Sequence, residues 1–183
     1  MGSISSEEQS LIRRAQAGDR DAFGALVRYS YPRVYRVAMR IARNREDAAE
    51  MTQETFVRAV QSIGRFDPQR PLFPWLYQIC RNLSLNRIQR SRSREGSLPE
   101  FDLLDPRSAT PEEAAIRSES SQQIREAIER LPEHHRAVIV LSHFDECTYE
   151  EMAHVLEVPI GTVMSRLYNA RKRLRVLLAA EDE

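Results

Sequence analysis

Apolar residues along this chain recur at intervals of three and four rather than two, and no run alternates long enough to suggest a sheet, so the pattern predicts helices. The first spans Glu7 to Ala17 and ends before Gly18. A second, Asp21 to Arg43, carries Phe23, Leu26, Val27, Val34, Val37, Ala38 and Ile41, with Pro32 inside it to kink or divide it. Glu46 to Ile63 follows and stops at Gly64, and Pro74 opens a fourth helix over Trp75 to Arg90, in keeping with proline's preference for the first helical turn. These make one bundle. Further on, Pro111 to Arg130, Pro132 to Phe144, Tyr149 to Leu156 and Ile160 to Leu178 make a second, smaller helical group. The expected fold is all-α, with two small helical domains joined by a flexible acidic linker.

Charge sharpens that division. Over 183 residues the formal net charge is zero, yet up to Gly96 there are 17 basic residues against 10 acidic, and from Ser97 onward 10 against 17. Between Ser97 and Glu119 the chain holds Pro99, Pro106 and Pro111 and six acidic residues against Arg107 and Arg117, a composition that opposes core formation. The reading places one domain at 1–95, the linker at 96–112 and the second domain at 113–183. The content, 42% hydrophobic and 30% charged, suits a chain able to bury a core. No apolar run approaches the ~18 residues needed to cross a membrane, and "MGSISSEEQS" lacks the features of a secretory signal, so a cytoplasmic protein with no membrane insertion of its own is expected. Cys80 and Cys147 form no CxxC pair or disulfide framework. Lys172 is the only lysine, and arginine supplies the remaining positive charge as the better phosphate fork.

The C-terminal pattern is specific. "TYEE" at Thr148 to Glu151 has the spacing of a capping box, and the short helix it starts ends near Glu157-Val158 before Pro159 opens the next. Short helix, tight turn and long helix make a helix-turn-helix, whose second helix enters a DNA major groove. At about 100° per residue, Val163, Leu167, Ala170 and Leu174 share one side, with Gly161, Ser165, Tyr168 and Lys172 opposite and Met164, Asn169 and Arg175 flanking them. From Gly161 to Leu178 there are five basic residues and no acidic one. A merely solvated amphipathic helix is the alternative, and the cap and turn weigh against it.

Two other stretches concentrate chemistry. From Arg65 to Arg94, seven arginines interleave with Phe66, Phe73, Trp75 and Tyr77, and Asp67 is the only acid. Aromatic faces stack on unpaired bases while arginines track the backbone, so the mix suits single strands. The competing reading makes Trp75, Ile79 and Leu83 core residues at helical spacing, which leaves the arginine excess unexplained. On Glu46 to Ile63, Asp47, Glu50, Glu54, Arg58 and Gln61 share a face with Met51, opposite Ala49, Phe56, Val60 and Ile63. An acidic face with an exposed methionine is a candidate protein-docking surface, and a solvated helix with a Glu54–Arg58 pair is its alternative.

The chain's histidines, His134, His135, His143 and His154, fall near Cys147 but match no standard zinc spacing, so no metal site is assigned. Cys80 reads as a small core residue. No nucleophile–base arrangement, glycine-rich phosphate loop or metalloprotease motif appears, and neither catalytic residues nor a cofactor are expected.

"DAFGALVRYSYPRVYRVAMRIARNREDAAEMTQETFVRAV", "RFDPQRPLFPWLYQICRN" and "AIERLPEHHRAVIVLSHFDECTYEEMAHVLEVPIGTVMSRLYNARKRL", in this order, resemble the successive blocks of the extracytoplasmic-function sigma factors, the compact two-domain branch of the bacterial primary-sigma family. The resemblance implies a transcription initiation factor that binds RNA polymerase core through the beta-prime clamp helices and beta flap, directs it to specific promoters and opens the minus-ten element. Domain 1–95 corresponds to sigma region 2 and 113–183 to sigma region 4. Carried over by motif, Asp47, Glu50, Met51, Gln53 and Glu54 meet core polymerase. Arg65, Phe66, Arg70, Phe73, Trp75, Asn82, Asn86 and Arg87 meet the minus-ten DNA. Thr162, Met164, Ser165, Arg166, Tyr168, Asn169, Arg171 and Lys172 meet the minus-thirty-five duplex. Met164 stands where the family usually has Lys or Arg, Asn169 where it often has Arg, and Leu72 where it has Phe. Asparagine pairs with adenine and methionine meets a thymine methyl, so an altered promoter preference and weakened binding both remain open. The resemblance further implies control by an anti-sigma factor and a linker near the polymerase's RNA exit path. A sigma-like decoy for such a regulator is the competing reading, and the "NARKR" run and first-domain arginines weigh against it. A stand-alone repressor leaves the first domain without a role.

Overall fold

The chain's first helix is set by its ends. In the computed structural model, which describes residues 5–42, 44–92 and 122–179 and, for 84–92, the backbone alone, the Ser5 hydroxyl accepts the Glu8 amide at 3.1 Å and opens α1, Ser6–Gln16. Glu7 and Glu8 lie in its first turn and Arg13 and Arg14 in its last, each complementing the helix dipole. Gly18 turns the chain at φ +89°, a conformation side chains disfavour, and the Asp19 carboxylate accepts the Ala22 amide at 3.0 Å to start α2, Arg20–Ala42. That amide bond, with the Arg14 guanidinium at 2.7 Å, holds the Asp19 carboxyl below its ordinary pKa.

Pro32 does not divide α2, which continues through it as one helix. The proline lies on the exposed face together with Arg28, whose carbonyl is the one left without an amide by the missing N–H, so water can compensate. Asn44 then caps α3, Arg45–Ser62, by accepting the Asp47 amide at 2.8 Å. The inner face of α3 is made of Ala48, Met51, Thr52, Thr55, Phe56 and Ala59. Both buried threonine hydroxyls donate to their own helix, to Ala48 O and Met51 O, at 2.7 Å each, so neither needs a partner from elsewhere. After a 3-10 turn at Ile63–Arg65, α4 runs Leu72–Arg92. It begins three residues ahead of the expected Trp75 start, because Pro74 fits the first turn, where no intrahelical amide bond is lost. The central helix of this unit is α2, packed on α1, α3 and α4 around Ile12, Leu26, Val34, Val37, Leu76 and Cys80.

Contacts divide the chain into two compact units, Met1–Glu100 and Phe101–Glu183. The acidic linker expected at 96–112 lies outside the described residues, as does the start of the helix expected from Pro111; its described part is α5, 122–129. Arg136 closes α5 by donating from Nη2 to Glu129 O at 2.7 Å and to Leu131 O at 3.2 Å. Next, α6, Glu133–His143, is buried over the whole run Val138 to Leu141. The capping box is present at α7, Tyr149–Leu156: Thr148 Oγ1 accepts the Glu151 amide at 3.2 Å and the Glu151 carboxylate accepts the Thr148 amide at 2.9 Å. Glu157 ends α7 in the left-handed region at φ +54°, and α8, Ile160–Ala179, follows Pro159. The second core comprises Ala127, Ile128, Leu131, Met152, Val163, Leu167 and Ala170, among others. Every element among the described residues is helical.

The junction of α7 and α8 makes a stability test. Thr148→Ala should destabilise the second unit by about 1 kcal/mol through loss of the cap, whereas Glu157→Gly, relieving a left-handed side chain, should stabilise it by about 0.5–1 kcal/mol. Urea unfolding with amide exchange read in α7 and α8 measures both.

Candidate nucleic-acid and protein interfaces

On α8 the packing and open faces separate as the spacing requires. Val163, Leu167 and Ala170 are buried against the unit's core and Leu174 is half-buried. Met164, 50% exposed, and Tyr168, 69% exposed, stand out with Ser165, Asn169, Arg171 and Lys172, while Thr162 and Arg166 lie half-buried at the flank. Ser165 spends its hydroxyl proton on Thr162 O at 3.0 Å, which leaves its oxygen as an acceptor. Tyr149 and Ile160, at the starts of the two helices, are also exposed, and the helical spacing of α8 alone did not single them out. The face offers donors, acceptors, a thioether and an aromatic ring on one rod, the mixture needed to read base edges and phosphates.

Behind this face sit two histidines of α6. Burial, then His134, Arg173 and Arg166, pushes His135 below the ordinary imidazole pKa, and burial, then Arg171, does the same for His143. His134 and His135 meet edge to face with ring centroids 4.3 Å apart. Among the described residues no three His, Cys, Asp or Glu side chains are grouped to hold a metal ion. Cys80 and Cys147 are both buried.

At the entrance to α4 the structure corrects the expected aromatic platform. Phe66 is 8% exposed and Phe73 3% exposed, so neither ring offers a free face. Phe66 lies against Trp75 with centroids 4.7 Å apart, and the Arg33 guanidinium covers Phe73 at 3.6 Å. Trp75 is half-buried, forming one wall of a shallow apolar hollow with Phe23, Val27, Phe56 and Ile63. Arg65, Arg70 and Asn82 are exposed, while the side chains of Asn86 and Arg87 fall outside the described residues. Phe66 thus backs the Trp75 ring and Phe73 belongs to the core, which leaves half-buried Trp75 and exposed Arg65, Arg70 and Asn82 as the accessible candidates.

A second correction concerns α3. Asp47, Glu50 and Gln53 are exposed and Glu54 half-exposed, as a docking face requires, but Met51 is only 2% exposed and belongs to the core. Its inner stripe is phased on Ala48, Thr52, Thr55 and Ala59 rather than on Ala49 and Val60, which are exposed. Arg58 pairs with Glu54 at 3.0 Å, and Asn44 donates to Asp47 at 2.6 Å. No described helix is long and apolar enough to cross a membrane.

Known proteins carry the same two units. The Sigma-70 region 2 family model matches residues 26–94, and the Sigma-70, region 4 model matches 121–174. The ECF RNA polymerase sigma factor SigW of Bacillus subtilis is 33% identical over 174 residues, covering 90% of this chain and 92% of that protein. The chain belongs to the extracytoplasmic-function RNA polymerase sigma factors. The ECF RNA polymerase sigma-E factor of Escherichia coli is 31% identical over 180 residues, with 91% and 92% covered. Among solved structures, CnrH in complex with the cytosolic domain of CnrY is similar with a TM-score of 0.65 and 27% identity, over 96% of this chain and 99% of that one. In this sigma factor the exposed face of α8 lies in the region 4 match, and Trp75, Arg65, Arg70 and Asn82 lie in the region 2 match.

The histidines give a pH test. Because folding lowers the pKa of His135 and His143 from 6.5, the unfolded chain takes up protons first as pH falls. Their contribution to stability is complete above 6.5 and is lost as pH drops from there toward the lowered values. Urea midpoints followed from about pH 7 to about pH 5 should fall less in His135→Gln than in the wild type.

Proposed function

We propose that this chain supplies promoter specificity to RNA polymerase core, with residues 1–95 acting on core and the minus-ten element, 113–183 reading the minus-thirty-five element, and 96–112 joining them. The observation that carries this reading is the open cationic face of α8, Met164 through Lys172, on a capped helix-turn-helix within a chain of this family. Duplex DNA enters contact with that face. Arg166, Arg171 and Lys172 hold phosphates, Tyr168, Ser165 and Thr162 fix register, and Met164 and Asn169 favour thymine and adenine edges. Carboxylates repel DNA, so Asp47, Glu50 and Glu54, with Gln53 beside them, face protein, which the family resemblance identifies as the beta-prime clamp helices of core, and buried Met51 holds their helix in place.

Opening follows from binding alone. Trp75 receives an unstacked base while Arg65, Arg70, Asn82, Asn86 and Arg87 track the strand, and capture offsets an unstacking cost of a few kcal/mol per base. Contacts with polymerase supply the remainder. The chain itself makes and breaks no covalent bond, needs no cofactor, and works in the cytoplasm, where polymerase and DNA are. The similar CnrH was solved with the cytosolic domain of CnrY bound, which supports a protein regulator here too, an anti-sigma factor competing for the same open surfaces.

Run-off transcription with core polymerase on a library of promoter-length duplexes tests this. Discrete starts preceded by two shared motifs about one and a half to two helical turns apart are expected; binding to core without specific starts, even on premelted templates, would leave a decoy. On the recovered promoter, Trp75→Ala should impair opening more than duplex binding. Lys172→Ala should weaken duplex binding across sequences and reduce its salt slope by about 1.

A further inference from the structure

We infer that α1 is a brace for the segment joining α3 to α4, and that Gln16 and Glu8 are positioning residues for capture of the minus-ten strand; this rests on the proposed meeting of Trp75 with that strand. The segment has little structure of its own beyond the turn at Ile63–Arg65 and a second turn in which the Arg70 amide donates to Asp67 O at 3.0 Å. Gln16 holds it from α1: Nε2 donates to Ile63 O at 2.9 Å and to Phe66 O at 2.6 Å, fastening both ends of the first turn. Near the other end of α1, about 12 Å along the axis at 1.5 Å per residue, Glu8 Oε1 accepts the Leu72 amide at 3.2 Å. The first turn of α4 has no acidic residue of its own, so Glu8 satisfies one of its orphan donors and places negative charge at its positive end.

The brace is rigid. Ile12 and Ala15 are buried and fix the roll of α1, while the Gly18 turn and the Arg14–Asp19 ion pair fix its junction with α2. What it holds is the support of the site, because Phe66, anchored through its carbonyl, is the ring against Trp75 at 4.7 Å. Arg65 and Arg70 ride on the same segment. No residue of α1 is itself assigned to DNA, and the helix precedes the 26–94 stretch matched by the region 2 model. Its contribution is the pose of residues elsewhere.

The test uses the full chain assembled with core polymerase and two forms of the promoter recovered by run-off: a complete duplex, and a fork whose non-template strand is single-stranded across the minus-ten element. Gln16→Ala should weaken fork binding about tenfold, with core affinity and minus-thirty-five duplex binding unchanged. Glu8→Ala should act in the same direction, and Glu8→Gln, which keeps an acceptor oxygen but loses the charge at the helix end, should bind the fork more tightly than Glu8→Ala. A parallel loss of core affinity, or a Glu8→Gln variant as poor as Glu8→Ala, would make α1 a stabilising element only and overturn the inference. Trp75→Ala separates the two levels. If it weakens fork binding and Gln16→Ala does not, the brace is wrong and the site stands; if neither variant matters, the site itself is wrong.

Discussion

Close packing of α3 on its neighbours is the constraint from which the first unit's surfaces follow. Ala48, Thr52, Thr55 and Ala59 present almost no bulk, and all four are at most 1% exposed, so α2 and α4 can approach closely. Polar side chains are admitted there only because each threonine hydroxyl bonds a carbonyl of its own helix. With that face committed, the rotation of α3 is fixed, and Asp47, Glu50 and Gln53 have nowhere to go but outward. The same packing delivers Ile63 and Phe66 to the entrance of α4, where Trp75 sits. An acidic helix and a half-buried indole thus appear on one small bundle as two consequences of a single helix pose.

In the second unit helix ends play the corresponding part. The reciprocal Thr148–Glu151 cap sets the start of α7, and the left-handed Glu157 sets its end, so that α8 leaves the turn with Val163, Leu167 and Ala170 inward. Burying those three is what exposes Met164, Tyr168 and Asn169. With Met164 and Asn169 uncharged, positive charge on α8 is concentrated later on the helix, at Arg171 to Arg173 and Arg175, and Arg166 is the one cation before them.

Local features were legible in the residues alone. The cap at Thr148, the turn at Pro159 and the two faces of α8 each depend on neighbours within a few positions, and large apolar residues mark the buried side. The inner face of α3 was not legible in the same way, because Ala and Thr carry little hydrophobic signal, Val60 drew the wheel out of phase and Met51 was left among its acidic neighbours. Arginines surround Phe66 and Phe73 in sequence and suggest open rings, yet their covers, Trp75 and Arg33, are set by tertiary packing. Gln16 gave no signal at all, its partners being main-chain carbonyls far along the chain.

In the proposed division of labour the acidic face of α3 meets protein, Trp75 meets an opened strand and α8 meets duplex. Site-specific photocrosslinking from positions 50, 75 and 168 in the holoenzyme on its promoter measures it directly. The expected result is a crosslink from position 50 to a polymerase subunit, from position 75 to the non-template strand near the start site, and from position 168 to duplex about one and a half to two turns upstream. Position 50 reaching DNA, or positions 75 and 168 reaching the same stretch of duplex, would contradict it.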